Sequence, residues 1–162
     1  MTAYLDNSAT THVCSEAVEA MKTAVTELWG NPSSLHQKGI EADEMLENAR
    51  SNVARRLFCR DDEVYFTSGG TESNNLAVQG AAHAMRRRGR RIVTTSVEHP
   101  SIDETVKHLE NEGFEVIRLG VDKNGRISER ELFEAVTPDT ILVSIMAVNN
   151  ETGTIQPVEA AR

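Results

Sequence analysis

The segment Ser68-Gly69-Gly70-Thr71-Glu72 is the first stretch of the sequence whose residue types could do chemistry. Paired glycines let the backbone approach a ligand closely, and the hydroxyl and acidic residues after them are typical of a helix start. Free backbone N–H groups at such a start bind phosphate, and Ser68 and Thr71 could add hydroxyl hydrogen bonds. A tight turn explains the same glycines equally well. The patterns GxGxxG and GxxxxGK[ST] are absent from residues 64–80, so the ligand need not be a nucleotide.

His99 stands directly before Pro100 and follows a β-rich run of residues. An imidazole at the end of a strand could lie flat over a planar ligand or exchange protons near neutral pH. Because proline favours the first position of a helix, a histidine at a helix start is the simpler interpretation. A metal site is a weaker interpretation, since no other His or Cys lies at a ligand spacing around Glu98 and His99. We predict no metal site.

Two neighbouring amides, Asn149 and Asn150, lie in a third candidate loop at residues 147–153. A buried hydrogen bond from either amide could orient a ring oxygen or a substrate, although asparagine is also a common turn residue. Residues 122–125 (Asp-Lys-Asn-Gly) resemble the beginning of a calcium loop, but the glycine comes too early and no glutamate follows at the proper place. They predict a turn.

Short β-rich runs alternate with helix-length stretches in the second part of the chain. They predict four strands, at residues 64–67, 91–96, 114–119 and 140–146. Capping boxes at Ser101 and Ser128 predict helix starts, and Gly113 is suited to ending the first of these helices. This order predicts an α/β fold with a mainly parallel sheet flanked by helices. In such a sheet the three candidate loops meet along one rim, at the carboxyl ends of the strands.

Two helical patterns precede the α/β part. One begins near Ser15 with apolar residues at Val18, Met21, Val25 and Leu28, and it stops at Gly30. A longer pattern runs from Ala42 to Leu57. We therefore expect residues 1–60 to form an N-terminal arm with helices, and residues 61–162 to belong to a larger α/β domain.

Bulk composition narrows the classes of partner. The chain of 162 residues has 17 basic and 25 acidic residues, and its net charge of −8 repels phosphate backbones, so we expect no nucleic-acid partner. Two cysteines are too few for a disulfide framework. No apolar run approaches the roughly 20 residues that span a bilayer, and the first residues do not resemble a secretion signal. We expect a cytoplasmic protein with no membrane partner.

The candidate loops belong to a larger ordered set of motifs that resembles the cysteine desulfurases, in the class V branch of the aminotransferase-like, fold type I pyridoxal-phosphate enzymes. The resemblance covers essentially the whole chain in order and spacing. The motifs are YLDNSATT at residues 4–11, GNPSSLH at 30–36, TSGGTESNN at 67–75, Glu98-His99, and NNETG at 149–153.

The resemblance implies a cofactor and residue roles. Gly70 and Thr71 would hold the phosphate of pyridoxal 5'-phosphate, His99 would stack on its ring and move protons as the catalytic residue, and Asn150 would contact the ring hydroxyl. The implied reaction converts L-cysteine to L-alanine and leaves the sulfur on an enzyme cysteine as a persulfide. Implied partners are a sulfur-acceptor or iron–sulfur scaffold protein and a second copy of the enzyme in a homodimer.

The sequence also departs from the family pattern. His12 stands where many members have proline after the paired threonines. The chain ends at Arg162, before the family's aspartate that pairs with the pyridine nitrogen, its Schiff-base lysine and its sulfur-accepting cysteine. None of the lysines matches that position, and neither Cys14 nor Cys59 corresponds to the nucleophile. We therefore expect the N-terminal part of the fold type I domain, truncated before the lysine and inactive alone.

Two alternatives stay open at this stage. A related class V enzyme, such as a selenocysteine lyase or a transaminase, would keep the fold and change the chemistry. A catalytically inactive product of a split gene would serve as a binding or assembly module.

Overall fold

The computed structural model describes residues 3–161, which form two compact units that divide between Phe66 and Thr67. The first unit contains two α-helices, α1 (Ser15–Thr26) and α2 (Gln37–Leu57), and a short 3-10 helix at Asp61–Glu63. The predicted boundary at residue 60 stays a prediction.

Helix α1 is shorter than its apolar pattern, because it ends at Thr26 and excludes Leu28. Its predicted apolar face is largely uncovered among the described residues, and Val25 is 72% exposed. Helix α2 begins earlier than predicted because His36 accepts a hydrogen bond from the backbone N–H of Gly39 and so caps it. It ends where Phe58 takes a left-handed conformation, with φ of +56°.

The second unit is an α/β layer structure. Its elements are α3 (Gly70–Met85), β1 (Arg91–Thr95), α4 (Pro100–Asn111), β2 (Glu115–Leu119), α5 (Glu129–Ala135) and β3 (Thr140–Val143), followed by a 3-10 helix at Val158–Ala161. The strands form a sheet of order β2-β1-β3, and β1 pairs in parallel with both neighbours. The predicted fold class is confirmed.

The central strand β1 separates two apolar clusters because successive side chains of a strand point to opposite faces. Ile92 packs with residues of α3 and α4, whereas Val93 packs with Leu132 of α5 and with Leu119. Ile92 and Val93 are fully buried. Burying a side chain of this kind contributes about 1.5–3 kcal/mol, so this strand anchors both layers.

Helix α4 shows how local chemistry sets the ends of an element. It begins at Pro100, whose fixed φ suits the first helical position, and Gly113 follows its end with φ of +87°. The predicted N-cap at Ser101 is wrong, because Ser101 lies inside the first turn and His99 is the N-cap. The predicted cap at Ser128 is confirmed, since its side chain accepts a hydrogen bond from the Glu131 N–H.

The predicted strand at residues 64–67 is also wrong. A β-rich segment becomes a strand only when a neighbouring strand takes its hydrogen bonds, and none of the described strands pairs with this segment. Tyr65 is accordingly 74% exposed. The predicted strand at 140–146 is shorter than expected, since regular pairing ends at Val143. The predicted turn at residues 122–125 is confirmed by the Asn124 and Gly125 N–H groups, which donate to Asp122.

Candidate functional site

The first candidate loop ends in an uncapped helix start. Gly69 is the N-cap of α3 and has no side chain to accept a hydrogen bond. Gly70 and Thr71 are exposed in the first turn of α3. Among the described residues, no group accepts a hydrogen bond from their backbone N–H groups. A Cβ built on Gly69 or Gly70 would meet no atom of the described chain within 4 Å. Contacts with the rest of the chain therefore do not require glycine here, and the space in front of these donors is open.

The carboxylate of Glu72 turns back over this loop. It accepts hydrogen bonds from the backbone N–H of Ser68 at 2.7 Å and from the Ser68 hydroxyl at 2.6 Å. These bonds hold the pKa of Glu72 below its usual value. The charged side chain therefore fixes Ser68, while the donors of Gly70 and Thr71 remain available to an anion.

In the second loop His99 is the N-cap of α4. Its Nδ1 atom accepts a hydrogen bond from the Ser101 N–H at 3.1 Å and lies 2.8 Å from the Ser101 hydroxyl oxygen. The interpretation of His99 as a histidine at a helix start is confirmed. A role over a planar ligand or in proton transfer stays a prediction for this exposed residue.

The third loop separates its two amides. Asn149 is 7% exposed, and its side-chain oxygen accepts from the N–H groups of Glu151 and Thr152, each at 2.9 Å. Its Nδ2 atom donates to the carbonyl of Val97 at 3.2 Å. Asn150, in contrast, is exposed and donates to the Glu151 carboxylate at 3.2 Å. Asn149 therefore builds the loop, whereas Asn150 lies where a ligand can reach it.

Side chains join the three loops. Thr71 and His99 line one shallow depression, and Asn74 of α3 donates to the Ser101 hydroxyl of α4 at 2.8 Å. The bond from Asn149 to Val97 ties the third loop to the second. The structure thus brings the predicted residues Gly70, Thr71, His99 and Asn150 onto three connected loops, although their roles stay predictions.

Glu98, which the sequence offers only as part of the Glu98-His99 motif, has a structural role in this region. Its Oε1 atom accepts from the Met146 N–H and from the Thr95 hydroxyl, both at 2.9 Å, and so links β1 to the segment after β3. The contact with Met146 spans 48 positions, so no local pattern could reveal it. Burial raises the pKa of Glu98 above its ordinary value, and these two hydrogen bonds offset part of that rise.

The raised pKa predicts how stability depends on pH. The folded state holds the Glu98 proton more tightly than the unfolded state, so its stabilising contribution is complete below the unfolded pKa of about 4.3. That contribution is lost as pH rises through the folded pKa. We therefore expect the Glu98→Gln variant to gain stability relative to the wild type between pH 4 and pH 7. Urea unfolding of both proteins across this range measures the difference.

A matched control for this prediction is Glu110→Gln, because hydrogen bonds from Arg118 lower the pKa of Glu110. Its contribution is lost as pH falls, so the relative stability of this variant should change with pH in the opposite direction. Two variants with the same pH dependence would contradict the assignment of Glu98.

No cluster of three His, Cys, Asp or Glu side chains suited to a metal ion occurs within residues 3–161. No helix in the same range has the length and apolar composition needed to cross a bilayer. Lys107 forms an ion pair with Asp103 at 2.7 Å, and the hydrogen bonds that it donates to Asp103 and Glu104 raise its pKa. The Lys107 ammonium group is therefore held by two carboxylates.

Known proteins are similar to this chain in both sequence and fold. A protein named cysteine desulfurase IscS from Methanosarcina thermophila is 50% identical over 156 residues, which make up 96% of this chain and 39% of the relative. A solved structure named NIFS-like protein superimposes with a TM-score of 0.91 at 45% identity, over 99% of this chain and 44% of the other. Another, named SspA in complex with cysteine, gives 0.87 at 37% identity, over 99% of this chain and 46% of the other.

The chain thus spans less than half the length of these proteins. The model of the family described as aminotransferase class-V matches residues 3–162, which is nearly all of the chain. With the parallel sheet and the connected loops, this match leads to one conclusion: the chain belongs to the aminotransferase class-V family.

Proposed function

We propose that the full-length protein carrying this sequence is a pyridoxal-phosphate-dependent cysteine desulfurase. The family is in general pyridoxal-phosphate-dependent, the relative from Methanosarcina thermophila is named a cysteine desulfurase, and a similar solved structure is named as a complex with cysteine. The observation that carries the proposal is the exposed, uncapped start of α3 beside His99, on loops tied to each other by buried side chains. In the proposed reaction the Cβ–S bond of L-cysteine breaks, L-alanine forms, and an enzyme thiol becomes a persulfide.

The residues at the start of α3 fit the phosphate of the cofactor. Two backbone N–H groups, of Gly70 and Thr71, and the Thr71 hydroxyl would bind phosphate oxygens at the positive end of the helix dipole. The open space at Gly69 and Gly70 lets an anion approach the backbone closely. When bound, pyridoxal phosphate supplies a conjugated ring that withdraws electrons from the substrate.

The remaining site residues would orient the ring and move protons. His99 offers a planar, exposed imidazole for stacking on the ring and for proton transfer to or from the substrate. Asn150 would donate a hydrogen bond to the ring hydroxyl, because its amide lies on the exposed side of the third loop. Asn149 and Glu98 would hold this loop in place without contacting the ligand.

Partners and location extend the proposal beyond this chain. We infer a sulfur-acceptor or iron–sulfur scaffold protein as the recipient of the persulfide, a homodimer as the assembled enzyme, and the cytoplasm as its compartment. The chemistry of the product supports the first of these, since a persulfide is useful only if a second thiol or a scaffold takes the sulfur.

The decisive experiment incubates the purified full-length protein with L-cysteine and a thiol reductant, and measures alanine and sulfide. We expect equal amounts of both products, and loss of both when the cofactor is removed. Parallel reactions with selenocysteine and with an amino acid plus a keto acid test the two related chemistries. Faster selenide release or amino-group transfer, without desulfuration of cysteine, would overturn the proposal.

Gly70→Pro tests the phosphate site separately from turnover. Proline is well tolerated at the first position of a helix but has no N–H, so the variant should fold and lose one donor to the phosphate. A hydrogen bond to a charged group contributes about 1.5–3 kcal/mol, so pyridoxal phosphate should bind roughly tenfold to a hundredfold more weakly. Fluorescence titration with the cofactor and with inorganic phosphate measures this.

The matched control is Gly70→Ala, which keeps the N–H and whose Cβ would meet no atom of the described chain. We expect it to bind the cofactor more tightly than the proline variant. Wild-type affinity in Gly70→Pro would rule out this donor.

A further inference from the structure

The hydrogen bonds around His99 fix which of its two ring nitrogens carries a proton. The backbone N–H of Ser101 points at Nδ1 over 3.1 Å. An amide N–H can only donate, so Nδ1 must act as the acceptor. In the neutral ring the single proton therefore sits on Nε2, the atom that faces away from α4's first turn.

A second bond to the same atom comes from a buried hydroxyl. The Ser101 oxygen, in a residue only 7% exposed, lies 2.8 Å from Nδ1 of His99 and 2.8 Å from Nδ2 of Asn74. The amide nitrogen of Asn74 can only donate, so it occupies a lone pair of the hydroxyl. The hydroxyl hydrogen is then free to point at Nδ1. The two hydrogen bonds thus have the same direction: Asn74 donates to the Ser101 hydroxyl, and that hydroxyl donates to His99.

The arrangement also connects the two helices that begin at the candidate site. Asn74 lies in the first turns of α3, and Ser101 lies in the first turn of α4. A ring charged by protonation at both nitrogens could not accept either bond at Nδ1. The network is therefore matched to a neutral ring with its hydrogen on Nε2.

We propose that Asn74 and Ser101 are positioning residues that hold His99 in the Nε2–H form and set the orientation of its ring. The inference rests on the proposed function, in which His99 acts on the cofactor and the substrate. It adds that the neutral His99 ring faces the site with one atom, Nε2–H, as a hydrogen-bond donor. Positioning of this kind is set by the partner of the other ring nitrogen.

The first test is spectroscopic and does not depend on turnover. Nitrogen-15 spectra of the full-length protein labelled at histidine, with the His99 signals assigned by the His99→Asn variant, report which nitrogen is protonated. We expect one dominant Nε2–H form in the wild type. In Ser101→Ala and in Asn74→Ala the Ser101 N–H still favours that form, but a side-chain bond that orients the ring is lost, so we expect a shifted or broadened Nδ1 signal. In Ser101→Thr, which keeps a hydroxyl, we expect the wild-type pattern.

The second test separates positioning from folding. In the Ser101→Ala variant kcat for L-cysteine should fall roughly tenfold with little change in KM, because a misoriented ring slows the step rather than binding. Thr105→Val is the matched control, since the Thr105 hydroxyl is buried in the same helix and bonds the Ser101 carbonyl at 2.8 Å without touching the ring. It should leave the His99 signals and kcat unchanged.

The outcomes distinguish this inference from the proposed function. Wild-type His99 signals in both Ser101→Ala and Asn74→Ala would overturn the inference, whatever the protein catalyses. A protein that does not desulfurate cysteine, yet shows the expected change of signals, would overturn the proposed function alone. If Ser101→Ala does not fold, Asn74→Ala still tests the inference. It removes the first donor of the network, which lies in α3, and leaves α4 unchanged.

Discussion

Replacing His99 with alanine is expected to lower kcat/KM for L-cysteine by about 100- to 10,000-fold in the full-length protein, the range that general acid–base groups contribute. The same change removes the N-cap of α4, which costs about 0.5–2 kcal/mol of stability. Steady-state kinetics and urea unfolding of the same preparations measure the two effects. The loss of transition-state stabilisation should exceed the loss of folding free energy.

His99→Asn separates the two roles, because asparagine is a preferred N-cap but has no imidazole. This variant should recover most of the stability that His99→Ala loses and none of the activity. Wild-type turnover in the asparagine variant would show that His99 only caps the helix.

Replacing Asn149 with alanine is expected to destabilise the protein by about 2–4 kcal/mol, because it removes a buried amide that hydrogen-bonds three backbone groups of two loops. The N–H groups of Glu151 and Thr152 lose their acceptor, and the carbonyl of Val97 loses its donor. Asn150→Ala should change the free energy of unfolding by no more than about 0.5 kcal/mol, since this residue is exposed. Urea unfolding of the two alanine variants compares adjacent amides directly.

Asn149→Asp is the control for the direction of these bonds. It keeps the acceptors for Glu151 and Thr152 but turns a carboxylate towards the carbonyl of Val97, so its stability should lie between wild type and Asn149→Ala. Asn150→Ala should instead weaken the binding of pyridoxal phosphate. Equal stability losses at positions 149 and 150 would contradict the division of roles between the two amides.

Local chemistry accounts for the parts of the fold that could be predicted from the sequence. Pro100 fixes φ at the start of α4, Gly113 permits the left-handed conformation after its end, and the β-branched residues of β1 favour a strand in a buried sheet. The prediction of Ser101 as N-cap was wrong because a capping box depends on where the helix starts. Pro100 is already the first helical residue, so the N-cap is the residue before it. The predicted strand at 64–67 failed because a strand needs a partner, and propensity does not supply one.

The candidate site also has features that the sequence predicts and features that only the fold shows. Paired glycines, a histidine before proline and an asparagine pair are local features, so the three loops could be found in the sequence. The roles of Glu98 and Asn149 depend on bonds to Met146 and Val97, at separations of 48 and 52 positions. Only the folded chain reveals which asparagine is buried and which is exposed.

The strand order β2-β1-β3 has a consequence for the route by which the chain folds. Arg91 pairs with Glu115, 24 residues on, and with Thr140, 49 residues on, so closing the second loop costs about 0.6 kcal/mol more entropy. During synthesis β1, α4 and β2 emerge as a complete unit before β3 exists. The first two loops can therefore be set early, while the segment after β3 docks last, through Glu98 and Asn149. A nascent chain that has released β1, α4 and β2 but not β3 would therefore have the helix starts at Gly70 and Pro100 without the third loop.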